Sequence, residues 1–158
     1  MIKYCLEKWD KNKRALEMAL INDKELHECD YKHLVELAVM HILNDSREND
    51  DYDCEWDVSK ITEIDNGGYQ GTLLYLIPST SYQPSEYEYL MAYVGYGSCS
   101  GCDTLQRIQG FGDDEPTPIK DYMTLCLDIV STIIKPYNTG WRGGDSEFEA
   151  VKWDEEDA

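Results

Sequence analysis

Long apolar stretches are missing from this chain of 158 residues. It has no run of about 18 or more apolar residues, so we expect no membrane-spanning helix. Its first ten residues, Met-Ile-Lys-Tyr-Cys-Leu-Glu-Lys-Trp-Asp, lack the apolar core of a signal peptide. These absences predict a cytoplasmic protein whose six cysteines are thiols rather than disulfides.

Basic residues are scarce as well, with 14 lysines and arginines against 32 acids and a net charge of −18. Residues 45–57 hold seven acids and one base, and residues 136–158 hold seven acids and two bases. Such a field repels nucleic acid and anionic membranes and attracts cationic surfaces. We therefore expect a basic protein partner and no direct binding to nucleic acid or membrane, although an acidic surface also serves solubility alone.

Histidine is limited to three residues, and the last of them, His41, precedes the most distinctive motif of the chain, Tyr96-Gly-Ser-Cys-Ser-Gly-Cys-Asp103. Cys99 and Cys102 have the spacing of half a zinc site or of a redox dithiol. Gly-x-Cys-x-Gly is also the thiol form of a nucleophile elbow. A second close pair of ligands is missing, and no histidine follows. We therefore favour packed thiols, with no catalytic residue and no cofactor, and keep zinc on Cys99 and Cys102 as the alternative.

Apolar periodicity predicts helices at both ends of an α+β fold. The first is expected from Ile2 to about residue 22, and the second from its cap at Asp30 to about residue 43, so that they form an N-terminal helical hairpin. Asp103 is expected to cap a short helix. A long C-terminal helix is predicted over residues 118–135, because Pro118 suits a first turn and Pro136 ends the helix.

Three strands are expected between these helices, over residues 56–64, 71–77 and 87–96. Residues 65–68, Asp-Asn-Gly-Gly, are typical of a tight hairpin turn. Short connections favour a small antiparallel meander on which the helices pack. The second strand is almost continuously apolar, so we expect it to be central in the sheet or covered on both faces.

The chain is expected to form one domain over residues 1–137, because its length suffices for a single core. Residues 138–158 are expected to form an acidic tail. Within the tail, Glu147-Phe-Glu-Ala-Val-Lys-Trp153 alternates apolar and acidic residues and could add an edge strand, whereas the terminal acids favour disorder.

Three segments carry a resemblance: Gln70-Gly-Thr-Leu-Leu-Tyr-Leu-Ile-Pro78, Tyr82-Gln-Pro84, and the motif that contains Cys99 and Cys102. Together they resemble a group of small phage and prophage proteins of unassigned function that carry a Tyr-Gly-Ser-Cys-Ser-Gly-Cys-Asp signature. The resemblance covers about a quarter of the chain. It implies a phage accessory protein acting in an infected bacterial cell, and it assigns no catalytic role to any residue.

Our leading hypothesis is an acidic phage-type protein that binds and inhibits a basic or nucleic-acid-binding host protein, such as a defence nuclease, by mimicking nucleic acid. The alternatives are a metal-binding or thiol-dependent protein centred on Cys99 and Cys102, and a protein that sequesters a small ligand. Clustered carboxylates and rigid aromatic anchors suit a protein interface. The expected partner-binding residues are Asp45, Glu48, Asp50, Asp51, Asp53, Glu55, Tyr82 and Tyr87.

Replacing Cys99 or Cys102 with serine tests the packed-thiol interpretation. Burying a hydroxyl without an assured partner is expected to cost about 1–3 kcal/mol, with function falling only as stability falls. Urea denaturation and zinc analysis of both variants measure this. A larger loss together with released zinc would indicate a structural metal site, and a stable Cys99→Ser variant without biological activity would restore the enzyme hypothesis.

Overall fold

The protein has an α+β fold, as the sequence predicted. A computed structural model describes residues 2–44, 55–67, 71–80, 88–98, 103–110 and 117–135. Within these ranges, four α-helices pack around a three-stranded antiparallel sheet of order β1-β2-β3. One cluster of buried apolar side chains joins helices and sheet.

The N-terminal helical hairpin is confirmed. α1 spans Ile2–Ile21, and α2 spans Tyr31–Ala38. Asp30 caps α2, because its side chain accepts a hydrogen bond from the His33 backbone N–H at 2.9 Å. The last part of the predicted second helix is not α-helical, because the chain continues from α2 as a π-helix over Val39–Leu43.

A buried amide holds this π-helix against α1. Asn12 is 2% exposed, and its Nδ2 donates to the Ile42 carbonyl at 2.8 Å. Carbonyls in the last turn of a helix lack partners within the helix. The Asn12 side chain therefore supplies a donor from the neighbouring helix, which is why a polar residue lies in the buried stripe of α1.

The sheet is the predicted meander. β1 spans Thr62–Gly67, β2 spans Gly71–Pro78 and β3 spans Tyr89–Tyr96. Pairing runs from Thr62↔Leu76 to Gly67↔Gly71 in the first hairpin, so the strands extend through most of the predicted turn. Residues 68–70 and 81–87 lie outside the described ranges.

One prediction about the strands was wrong, because the first strand starts later than expected. Residues 56–61 do not begin the first strand, because Asp57 accepts hydrogen bonds from the N–H and hydroxyl of Ser59 and starts a 3-10 helix over Val58–Lys60. β2 is the central strand of the sheet, which was one of the two predicted alternatives. Its Leu73, Tyr75 and Ile77 are buried on the inner face, whereas Thr72, Leu74 and Leu76 on the other face are half-buried or exposed.

The C-terminal helix is shorter than expected. α3 spans Thr104–Gln109 and α4 spans Ile119–Ser131, with Pro118 at the N-cap. After α4 the backbone becomes extended, and Ile134 exchanges two hydrogen bonds with Met91 of β3, at 2.9 and 3.0 Å. This pairing closes part of the outer edge of β3. The predicted tail, residues 138–158, lies outside the described ranges.

Asn12→Ala tests the link between α1 and the π-helix. We expect a loss of about 1–3 kcal/mol in the free energy of unfolding, since the buried Ile42 carbonyl loses its donor. Lys13→Ala, at an exposed helical position next to Asn12, is the matched control and is expected to change stability by less than about 0.5 kcal/mol. Equal losses in the two variants, measured by urea denaturation, would contradict this role.

Candidate binding cleft

Most of the predicted site residues lie outside the described ranges: Asp45, Glu48, Asp50, Asp51, Asp53, Tyr82, Tyr87, Cys99 and Cys102. Glu55 is described and exposed, and its carbonyl accepts a hydrogen bond from Thr80 N–H at 3.0 Å. Its position beside the end of β2 agrees with an accessible acidic group.

The two ends of the acidic segment 45–55 are held side by side. The Asn44 side chain donates from Nδ2 to the Trp56 carbonyl and accepts from the Trp56 N–H through Oδ1, both at 2.8 Å. The Asn44 side chain thus makes the same two hydrogen bonds with the Trp56 backbone that a residue of a paired strand would make. The described residues that flank the acidic segment, Asn44 and Trp56, are therefore held together, and Trp56 is 3% exposed.

A cleft of about 380 Å³ opens where the start of α2, the strand β1, the end of β3 and the helix α3 meet. Its described walls carry four carboxylates and no lysine, arginine or histidine. These acids come from distant parts of the sequence, and they are Asp30, Glu63, Asp65 and Asp103. In the part of the chain that the structure describes, the cleft is therefore a concave surface on which negative charge converges.

Asp103 organises one wall of the cleft. It is 5% exposed, and its Oδ1 accepts hydrogen bonds from the Tyr31 hydroxyl at 2.9 Å and from the Gln106 N–H at 3.0 Å. Its Oδ2 accepts from the Gly97 N–H at 2.8 Å. The predicted cap of α3 is thus confirmed, and the same carboxylate also ties the two flanks of the cysteine turn together.

Tyr31 connects this wall to α2. Its hydroxyl donates to Asp103 and accepts from the Leu105 N–H at 3.1 Å. Burial, with the neighbouring Asp103 carboxylate, raises the pKa of the Tyr31 hydroxyl. The hydroxyl therefore stays protonated and remains a donor to the buried charge.

The opposite wall is β1, where two tyrosines orient two exposed acids. The Tyr75 hydroxyl donates to Glu63 Oε2 at 2.7 Å, and the Tyr96 hydroxyl donates to Asp65 Oδ1 at 2.6 Å. Burial of Tyr75, followed by its bond to Glu63, raises the pKa of that hydroxyl. Glu63 and Asp65 therefore present carboxylates in defined orientations at the rim of the cleft.

Cys29 lies at the base of the cleft but is not prepared to react. Burial, together with the negative charges of Asp23 and Asp30, raises the pKa of its thiol to about 12. Gln109 fixes this region by donating from Nε2 to the carbonyls of Leu26 and Cys29, at 3.1 and 2.8 Å. A protonated thiol is a weak nucleophile and a poor metal ligand.

Sequence reasoning missed this site, although part of its signal was visible. Residues 62–66, Thr-Glu-Ile-Asp-Asn, alternate acids with uncharged residues, which places Glu63 and Asp65 on one face of a strand. That Asp30 and Asp103 face them could not be seen, because the contact between Tyr31 and Asp103 joins positions 72 residues apart.

Within the described ranges, no group of three or more histidines, cysteines or acids is arranged to hold a metal ion. None of the helices in these ranges is both long and apolar enough to cross a membrane. The proposed zinc ligands Cys99 and Cys102 lie outside these ranges, so zinc on that pair stays a prediction.

Comparison of the chain with protein-family models, with curated proteins and with solved structures finds no match. The geometry of the cleft and the charge of the chain are therefore the features that bear on function.

Asp103→Asn tests whether the buried carboxylate organises the cleft. Both oxygens accept from fixed donors, so an amide group would place N–H against N–H or O–H. We expect a loss of about 1–3 kcal/mol in the free energy of unfolding. Asp128→Asn, at an exposed position of α4, is the control for removing one charge. Urea denaturation that finds Asp103→Asn as stable as Asp128→Asn would refute this role.

Proposed function

We propose that this protein binds and inhibits a basic or nucleic-acid-binding host protein, and that the acids of β1 and the cleft form part of its binding surface. The observation that carries the proposal is the convergence of Asp30, Glu63, Asp65 and Asp103 on one cleft without a described base among its lining residues. With a net charge of −18, the chain as a whole adds long-range attraction for a cationic partner.

The spacing of the β1 acids supports mimicry of nucleic acid. Glu63 and Asp65 are two residues apart on one strand, and such residues are separated by about 6.8 Å along the strand. This is close to the through-space distance between neighbouring phosphates on one strand of B-DNA, which combines the axial rise of about 3.4 Å per step with the rotation of the helix. Their hydrogen bonds to Tyr75 and Tyr96 restrict the carboxylates, which lowers the entropy lost when a partner binds.

Binding is favoured over catalysis by the state of the groups in the cleft. The Cys29 thiol has a pKa raised to about 12, and Asp103 already accepts three hydrogen bonds. Neither group is suited to activate a nucleophile at neutral pH. The resemblance to phage proteins supports the setting, which is a bacterial host whose defence proteins include nucleases with basic grooves.

A pull-down from bacterial lysate tests the proposed function. The protein is expected to retain basic nucleic-acid-binding proteins at about 50 mM salt and to release them at about 500 mM salt, because the Debye length shortens. Added protein should then compete with nucleic acid for each purified captured protein. Failure to retain any basic protein at low salt, or retention without competition, would reject inhibition by mimicry.

Charge-neutral variants locate the surface that the partner uses. Glu63→Gln/Asp65→Asn is expected to slow association with the captured protein about tenfold, since removed interfacial charges act mainly on the on-rate. Glu7→Gln/Asp128→Asn removes the same charge from exposed helical positions and should leave the on-rate nearly unchanged. Asp50→Asn/Asp51→Asn/Asp53→Asn tests the acidic segment separately. Equal on-rates for the β1 variant and the helical control would place the interface elsewhere.

A further inference from the structure

No other described part of the chain pairs with the outer edge of β1. Within the described ranges β1 pairs with β2 alone, and all six of its residues are exposed. An exposed edge strand presents unpaired backbone N–H and C=O groups and is a template for another strand. The other edge of the sheet differs, because Ile134 pairs with Met91 of β3.

The two faces of β1 have opposite character. Glu63 and Asp65 face the cleft, where they accept bonds from Tyr75 and Tyr96. Ile64 lies on the other face, opposite Leu74, and Leu74 in turn lies opposite Tyr93. Ile64 is 44% exposed and Tyr93 is 37% exposed. An apolar row therefore crosses the outer face of the sheet from Tyr93 and ends with Ile64 on the edge strand β1.

A second copy of this chain does not suit the edge. In antiparallel self-pairing with matched faces, Glu63 or Asp65 would lie directly opposite an acid of the other copy. In other registers of this pairing, both acids would still lie beside the acidic β1 strand of the other copy. Like charges directly opposite on paired strands are destabilising. The net charge of −18 on each copy adds further repulsion. Acids on an edge strand thus act against self-association while leaving the backbone groups available.

We propose that β1 accepts a cationic extended segment of a partner protein as an additional strand of the sheet. In this segment, lysine or arginine side chains at alternate positions face Glu63 and Asp65, and apolar side chains between them face the row of Ile64, Leu74 and Tyr93. Backbone hydrogen bonds supply affinity and the alternating side chains supply specificity, as in other strand additions. This inference rests on the proposed function, because it specifies how the basic partner is engaged.

The test uses a peptide of about eight residues in which lysine and valine alternate, a length that matches one strand. In an extended peptide the lysine N–H groups point to one edge and the valine N–H groups to the other. Two further peptides carry N-methyl groups on all lysine amides or on all valine amides. They keep every side chain and charge, and each removes the donors from one edge.

We expect the unmodified peptide to bind the full-length protein, and one methylated peptide to bind at least about tenfold more weakly than the other, because it has lost the bonds to β1. Hydrogen exchange of the β1 amides should slow on binding. Glu63→Gln/Asp65→Asn is expected to weaken binding of the unmodified peptide about tenfold, whereas Glu7→Gln/Asp128→Asn should not.

Three results would overturn strand addition. If both methylated peptides bind as tightly as the unmodified one, attraction is by charge alone. If no peptide binds at low salt while the lysate still yields basic proteins, the partner uses another contact. If sedimentation finds a dimer in which the β1 amides are protected, a second copy occupies the edge. In the first two cases the proposed function survives, because the pull-down and competition assays test it independently.

Discussion

The buried carboxylate of Asp103 is the interaction on which the cleft depends. A carboxylate removed from water costs several kcal/mol unless its oxygens are satisfied. Here the donors come from three directions, namely the Gly97 N–H at the end of β3, the Gln106 N–H in the first turn of α3, and the hydroxyl of Tyr31 in α2. Charge-assisted bonds of this kind contribute about 1.5–3 kcal/mol each. Burial of Asp103 therefore fixes the relative positions of β3, α3 and α2, because the three donors reach its carboxylate together only in this arrangement.

The sheet explains why the rest of the negative charge is tolerated. Its inner face is covered by the helices, and Tyr75 reaches from that face to the rim, where its hydroxyl meets Glu63. The acids of β1 therefore stay solvated on one side and hydrogen-bonded on the other, so they avoid the penalty of full burial. Residues of one sign at the edge of a sheet also restrict which strands can join it. The same placement opposes pairing with a second acidic strand, and this is the basis on which we propose a cationic strand as the addition.

Local signals in the sequence were sufficient for most of the fold. Asp30, Asp103 and Pro118 each mark a helix start, because capping depends on a few neighbouring residues. The start of β1 was missed because Asp57 bonds to the next turn of the backbone, and such local bonds compete with strand pairing. The role of the buried Asn12 could not be predicted either, since the carbonyl to which it donates is 30 residues away. The cleft required tertiary structure throughout. Asp30, the pair Glu63 and Asp65, and Asp103 are separated by long stretches of chain, and no periodicity within one element indicates that these three parts meet.

Charge and strand geometry act on different parts of the same association. Attraction between the acids and a cationic partner operates over about a Debye length and raises the rate of encounter. Strand pairing begins only at contact, and it slows dissociation because several backbone bonds must break together. A surface with the acids alone would hold many basic proteins weakly, whereas an open edge alone would invite aggregation. Glu63 and Asp65 lie on the strand whose outer edge no described residue pairs with. In the proposed complex, partner selection by charge and retention by backbone pairing therefore depend on the same six residues.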